Sequence, residues 1–245
     1  MTRTRSLKIA GVITAFAAII LAGMINNSKR VGARNDDDQS EESKIQRGFE
    51  IAAQIPAPFH LNLEGKNRAL VGLGSYIVNA QIPCNDCHSA GPPTQFAPGN
   101  NPYKGQTPVV NPKTYLGGGR DFGAYPPPDG PIHIVARNLT PDKTGLPEGG
   151  NTFNQFLTIM RTGADLDNLH PNCSQMVTTN CVKSPFRGDL LQIMPWPEFQ
   201  NMTERDLRAI YEYLSAIPCI EGPATPGDLP PAVQYAFPAL HNDCK

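Results

Sequence analysis

The 245-residue sequence has no large excess of charge of either sign and, after its first thirty residues, no long apolar run. Its net charge of −1 argues against a nucleic-acid-binding protein, because such proteins depend on clustered positive charge. With 40% hydrophobic and 18% charged residues it has enough apolar side chains for a packed core. Glycine and proline are abundant, at 22 and 25 residues, so we expect long loops between few helices.

The first thirty residues carry five basic side chains and no acidic one. Arg3, Arg5 and Lys8 precede the apolar run 9–25, which would span about 25 Å as a helix. Positive charge followed by an apolar segment is the order of an export signal. No small-x-small cleavage site closes the run, which favours an uncleaved anchor. We therefore expect residues 1–30 to tether the protein to the periplasmic side of a bacterial inner membrane, with export and cleavage as the alternative.

Two further regions follow the anchor. Residues 31–49 are polar and acid-rich, so we interpret them as a flexible acidic linker. Residues 50–245 have no second run long enough to cross a membrane and are predicted to form one soluble domain with a disulfide-bonded insert and tail.

The segment Cys84-Asn85-Asp86-Cys87-His88 is a C-x-x-C-H motif, the attachment site of a c-type haem. Two thiols three residues apart reach the two vinyl groups along one porphyrin edge, and the adjacent His88 imidazole is then held beneath the iron. The motif occurs once, so we expect one covalent haem c and exclude a multi-haem relay.

Other uses of a C-x-x-C pair fit this sequence less well. A thioredoxin-like pair follows a strand of a βαβ unit, and no such unit is predicted around it. A zinc site needs two more ligands, and Cys173 and Cys181 are too widely spaced for a second zinc knuckle. A disulfide within C-x-x-C would be strained.

The remaining four cysteines form an even set, which in an exported chain indicates disulfides. Three pairings are possible. The local pairs Cys173–Cys181 and Cys219–Cys244 are favoured, because each closes a loop that otherwise lacks structure. Each would contribute about 2–4 kcal/mol to stability.

Three segments have the apolar spacing of amphipathic helices, namely 66–80, 152–163 and 203–217. Gly72 and Gly74 weaken the first, which makes sense if another helix must approach it closely. The other two helices begin with the capping pairs Thr152–Gln155 and Thr203–Asp206. Only 132–136 alternates weakly, as one short strand would.

A methionine, a histidine or no protein group can occupy the second axial position of a c-type haem. Met194 is favoured, because Pro195 and Pro197 stiffen its loop and can hold a thioether at a fixed depth. Trp196 is the only tryptophan, and we expect it to cover the haem edge or to bond a propionate through its N–H. No histidine besides that of the motif has ligand spacing, and His170 is the next alternative.

Three groups of residues carry a resemblance to a known family. They are the entry segment 74–80 with the motif 84–88, the middle segments 138–145 and 156–163, and the segments 194–196, 202–207 and 211–214. Together they resemble class I cytochromes c, most closely the cytochrome subunits of membrane-bound alcohol and gluconate dehydrogenases.

The resemblance implies covalent haem at Cys84 and Cys87 and axial ligation by His88 and Met194. It also implies that Gly74 packs against the C-terminal helix. In addition, Pro141 or a neighbouring loop proline would orient the motif's imidazole through a carbonyl.

The sequence therefore predicts an all-α, cytochrome c-like helical haem domain with long Gly/Pro-rich loops, preceded by one hydrophobic helix. The expected function is that of a monohaem cytochrome c that carries single electrons between a redox protein donor and an acceptor, with no catalysis and no small-molecule substrate. A haem-based enzyme or gas sensor with an open iron site is the first alternative. A thiol oxidoreductase or zinc-binding module is the second.

Overall fold

The structure is a computed structural model that describes residues 40–125, 132–167, 186–229, 233–234 and 237–245. It divides the chain into two units, 1–43 and 44–245. Of the first unit only 40–43 are described, and they are helical. The second unit contains every predicted site residue.

Two predictions lie outside the described residues, namely the hydrophobic helix over 9–25 and the disulfide Cys173–Cys181. Within the described ranges, no helix combines the length and apolar character needed to cross a membrane.

The second unit is built from short helices and one small sheet. In chain order its described elements are α1 (44–52), α2 (Arg68–Tyr76) with a π-helical turn (Ile77–Gln81), α3 (Cys84–Cys87), α4 (Pro92–Gln95), a 3₁₀ turn (Pro102–Lys104), β1 (Asp121–Tyr125), β2 (Ile132–Val135), α5 (Pro147–Gly150), α6 (Phe153–Thr162), α7 (Trp196–Phe199), α8 (Glu204–Leu214), a 3₁₀ turn (Pro226–Asp228) and α9 (Phe237–Leu240).

The three predicted amphipathic helices are confirmed as α2, α6 and α8. The Thr152 side chain accepts the Gln155 amide and the Gln155 side chain accepts the Thr152 amide, so the predicted capping box of α6 is present. The Thr203 hydroxyl accepts the Asp206 amide at 3.1 Å at the start of α8. Local hydrogen bonds therefore set both helix starts where the sequence indicates them.

The helix α2 contacts α1 and α8 through two glycines. A Cβ at Gly72 would lie 2.7 Å from the Phe49 ring of α1, and a Cβ at Gly74 would lie 1.9 Å from the Ala209 carbonyl oxygen of α8. Both glycines therefore permit the close helix approach predicted for them, and the implied packing of Gly74 on the C-terminal helix is confirmed. The core around these contacts includes Val71, Leu73, Ile77, Leu207, Ile210 and Leu214.

Replacing Gly74 with alanine is expected to destabilise the protein by about 2 kcal/mol, because the added methyl group would overlap the Ala209 carbonyl. Chemical denaturation followed by circular dichroism measures the loss. Gly227→Ala is the matched control, since the nearest atom to a Cβ there lies 3.7 Å away and we expect a change of less than about 0.5 kcal/mol. Wild-type stability in Gly74→Ala would contradict the close contact of α2 with α8.

The start of the second unit differs from its prediction as a linker. Residues 44–49 belong to α1, and Ile45 and Phe49 pack against the core. The acidic composition of 31–49 hides this short helix, because two apolar side chains four residues apart are enough to give it a buried face.

The prediction of an all-α fold is wrong, because the protein combines helices with a two-stranded antiparallel sheet. The strands β1 and β2 pair with Asp121 opposite Val135, and the register is irregular between Asp121 and Ala124. The weak alternation over 132–136 indicates β2, but β1 contains a glycine at φ 85°, Gly123, and has no apolar alternation to reveal it. Its partner strand could therefore not be recognised from local sequence.

A buried polar cluster joins the loop before β1 to the helical core. The Tyr115 hydroxyl donates to the Asn79 side-chain oxygen at 2.6 Å and lies 2.8 Å from the Tyr213 hydroxyl. Because each buried hydroxyl has a partner, the cluster fixes this loop against α8 without an unpaired polar group.

The predicted disulfide Cys219–Cys244 is confirmed, with the two Cα atoms 5.7 Å apart. It connects the chain after α8 to the C-terminal tail. The tail is also hydrogen-bonded to the segment after β2, since the Asn138 side chain donates to the Leu240 carbonyl at 3.2 Å and the Asn242 side chain donates to the Thr140 carbonyl at 2.7 Å. The tail is therefore a structural part of the second unit.

Candidate functional site

One cavity brings four predicted site residues together. Cys84, Cys87 and His88 line it from α3 and the residue that follows, and Met194 lines it from the loop before α7. Most of the remaining wall is apolar and includes Ile134, Ala136, Phe156, Ile159, Met160, Ile210 and Leu214. Sulfur and nitrogen donors within apolar walls are the surroundings that a haem requires.

The two cysteines lie on one short helical turn. Pro83 (φ −73°, ψ 69°) is the centre of an inverse γ-turn, in which the Cys84 amide donates to the Ile82 carbonyl at 2.7 Å. Neither cysteine is in a disulfide, and burial raises the pKa of Cys84 to about 12. Cys84 therefore stays a protonated thiol at neutral pH.

The imidazole of His88 is oriented by a backbone carbonyl. Its Nδ1 donates to the Arg137 carbonyl at 2.8 Å, and burial lowers its pKa. The ring is therefore neutral, with the lone pair on Nε2. The resemblance implied that Pro141 or a neighbouring proline would supply this carbonyl; the carbonyl belongs to Arg137, and that of Pro141 accepts from the Asn242 side chain at 3.4 Å.

The loop 116–119, which precedes β1 in the chain, has left-handed backbone and is hydrogen-bonded both to α3 and to the residue after β2. Leu116 has φ 57°, and Gly118 and Gly119 have φ 72° and 95°. The Leu116 amide donates to the Asn85 side chain between the two cysteines at 2.9 Å, and the Gly119 amide donates to the Ala136 carbonyl at 2.8 Å. The loop therefore holds the motif and the carbonyl that orients its imidazole in one arrangement.

If this cavity holds a c-type haem, Gly118→Ala is expected to shift the reduction potential of that haem upward. Its Cβ would lie 2.5 Å from the Arg137 carbonyl carbon, so the bond from His88 Nδ1 would lengthen and the imidazole would become a weaker donor. Spectroelectrochemical titration measures the shift. Gly119→Ala is the control, because it is also left-handed but its Cβ would meet nothing closer than Ala90 at 3.7 Å. Equal potentials in both variants would contradict this role of the Arg137 carbonyl.

Met194 lies between two γ-turns. Ile193 has φ 68°, and across it the Met194 amide donates to the Gln192 carbonyl at 2.7 Å. Pro195 (φ −80°, ψ 49°) is the centre of an inverse γ-turn, in which the Trp196 amide donates to the Met194 carbonyl at 2.8 Å. A left-handed conformation is strained for a β-branched residue, so the surrounding structure must hold this loop in place.

Trp196 does not line the cavity. Its indole N–H donates to the Leu191 carbonyl at 3.1 Å, and its ring covers Gly163, where a Cβ would lie 2.3 Å from the ring. The structure therefore differs from the expectation that Trp196 covers a haem edge or bonds a propionate. The indole instead joins the Met194 loop to the end of α6.

Charged residues at the cavity form a group that the sequence analysis missed. The Arg137 guanidinium pairs with Asp165 at 2.6 Å and with Asp167 at 2.7 Å, and Arg137 and Glu148 both line the cavity. The sequence does not show that these residues come together, because they belong to three separate segments, after β2, in α5 and after α6. Their one sequence signal is that Glu148 precedes two glycines, Gly149 and Gly150, in a segment rich in turn residues.

Strained backbone is concentrated around this cavity. In the described ranges, the non-glycine residues with positive φ are Leu116, Glu148 and Ile193. Glu148 and Ile193 line the cavity, and Leu116 bonds the residue between the cysteines. Such residues collect at functional sites, so this distribution marks the site independently of the C-x-x-C-H motif.

The described histidines that could serve as the second ligand do not reach the wall of the cavity, whereas a second methionine, Met160 of α6, does line it. His133 bonds the Asp121 carboxylate at 2.8 Å, and His60 and His241 are bonded to backbone carbonyls elsewhere. His170 lies outside the described residues.

Comparisons of the chain with models of known protein families, with curated proteins and with solved structures found no match.

Proposed function

We propose that this protein is a monohaem c-type cytochrome that carries one electron at a time. The observation that carries the proposal is the meeting of Cys84, Cys87, His88 and Met194 at one apolar cavity. Two thiols, an imidazole with a free Nε2 and a thioether are the groups that attach and ligate a c-type haem.

The residues present fit this group. Cys84 and Cys87 would each add sulfur to one vinyl carbon and hydrogen to the other, so that two thioethers form without net oxidation. The haem, once bound, supplies a single-electron couple at its iron. His88 Nε2 and Met194 Sδ would be the groups that hold the iron of this haem.

The apolar wall of the cavity affects the reduction potential that we expect for the haem. Side chains of α6 and α8 give the cavity an apolar wall, and a thioether ligand favours the reduced state, so we expect a raised reduction potential. The partners would be a redox protein donor and an acceptor, such as a periplasmic dehydrogenase and a terminal oxidase. The segment 9–25 would keep them close by anchoring the protein to the membrane's periplasmic side.

The environment of Cys84 argues against the thiol oxidoreductase alternative. Reactive thiols of such enzymes have a lowered pKa, because the thiolate is the nucleophile. Burial raises the pKa of Cys84 to about 12, which is the opposite direction.

The proposal is tested on the full chain produced in a bacterium that attaches c-type haem. Intact mass should show one covalent haem, and a peroxidase-stained denaturing gel should give a coloured band. A colourless protein without added mass would overturn the proposal in favour of a thiol or zinc protein. Rapid CO binding by the reduced form would instead support an open iron site, and so an enzyme or gas sensor.

A further inference from the structure

Glu148 occupies an unusual position in the cavity wall. It lies in α5, where its backbone is left-handed (φ 53°, ψ 47°), and it lines the same cavity as the two cysteines. Glycine or asparagine adopts this conformation easily, whereas other residues are strained in it. Gly149 and Gly150 follow it and tolerate left-handed backbone, whereas Glu148 adopts that backbone at a conformational cost.

The carboxyl of Glu148 has no cation of its own. The positive charge that acts on this carboxyl is that of Arg137, whose guanidinium already pairs with Asp165 at 2.6 Å and Asp167 at 2.7 Å. The Asp165 side chain is fully buried, whereas the Asp167 side chain is 38% exposed, and among the described residues the group has three acidic side chains and one basic side chain. No ion pair to Glu148 occurs among the described residues, so its ionised form is stabilised only by the Arg137 charge, which two aspartates share, and by a hydrogen bond from the Asn151 side chain.

Other polar groups near α5 are already bonded. The Asp142 carboxylate, which faces Gly150, accepts the Thr144 amide at 2.8 Å. From α8, the Tyr211 hydroxyl donates to the Asn151 carbonyl at 3.0 Å. Burial raises the pKa of Glu148 to about 7, and the charges of Asp167 and Asp165 add to that rise, whereas the Arg137 charge and a hydrogen bond from the Asn151 side chain oppose it. Its carboxyl can therefore gain or lose a proton near neutral pH.

We propose that Glu148 is a proton-binding site coupled to haem reduction, so that the protein takes up a proton together with each electron. The inference rests on the proposed function, since it needs the haem in this cavity. The Glu148 carboxylate would take up one hydronium proton from the solvent for each electron that the donor protein delivers, so the net charge of the site is unchanged. The reason is electrostatic, because the added electron makes the site more negative and favours the neutral carboxylic acid.

The test is the pH dependence of the reduction potential, measured by spectroelectrochemistry on the haem-loaded full chain. Above its pKa, ionised Glu148 favours the oxidised iron, so the potential should fall as pH rises through neutrality. The steepest slope possible is a tenfold change in the equilibrium constant of reduction per pH unit, which is a change in potential of about 59 mV per pH unit. In Glu148→Gln and Glu148→Asn this slope should disappear, and asparagine also accepts the left-handed backbone.

Asp167→Asn is the matched control, because it removes one negative charge from the same group but leaves Glu148 in place. It should shift the potential at every pH and retain the slope, centred at a lower pH because the Asp167 charge also raises the pKa of Glu148. Infrared difference spectra of the wild type should show a protonated carboxyl band on reduction, which is lost in Glu148→Gln. A flat wild-type profile, or a slope that persists in both Glu148 variants or disappears in Asp167→Asn, would overturn the inference. A protein without haem would overturn the proposed function itself, which intact mass reveals first.

Discussion

The double variant Cys84→Ala, Cys87→Ala is expected to lose covalent haem completely, from one per chain to none. Both thiols line the cavity, and without sulfur no bond to the porphyrin forms there. Any haem that His88 and Met194 still bind would be released by denaturation. Intact mass and a peroxidase-stained denaturing gel measure the loss.

The control for this prediction removes two other cysteines. Cys219→Ala with Cys244→Ala deletes the disulfide of the tail and should cost about 2–4 kcal/mol of stability, while haem stays attached. Haem that remains covalently bound after loss of Cys84 and Cys87 would refute their assignment as the attachment residues.

Met194→Ala is expected to change the iron from six-coordinate to an open or water-ligated state. The alanine side chain has no donor atom, so the reduced variant should bind CO rapidly and the reduction potential should fall strongly, since a thioether ligand raises it. The measurements are visible spectra of the oxidised protein, in which the sulfur-to-iron charge-transfer band should vanish, and CO titration of the reduced protein.

Met202→Ala is the matched control for the axial methionine. Met202 packs against the core but does not line the cavity, so its loss should lower stability without changing the spectra. Spectra of Met194→Ala that remain those of a methionine-ligated, six-coordinate iron would show that another group is the ligand.

The sequence predicts the long helices well, because they depend on local patterns. Amphipathic spacing and the capping threonines define α6 and α8, and the disulfide Cys219–Cys244 follows from closeness in sequence. The sheet is different, since β1 has no alternation and forms only because β2 pairs with it. The all-α prediction failed at this point.

The hydrogen bonds that surround the candidate site could not be predicted from the sequence. The carbonyl that orients His88 comes from Arg137, and a backbone oxygen carries no sequence signal. As the only tryptophan, Trp196 is a candidate for the haem edge, but its indole N–H donates to the Leu191 carbonyl. The strained Ile193 is also hidden, because no propensity predicts a β-branched residue at positive φ.

The C-terminal tail has a consequence for the order of biogenesis. Asn138, which follows the residue that orients His88, is held by the carbonyls of Ile220 and Leu240, and Cys244 links the tail to Cys219. The support behind the imidazole is thus incomplete until the chain has been synthesised as far as Cys244. A nascent chain that already displays the C-x-x-C-H motif must wait for more than 150 further residues before that support can form.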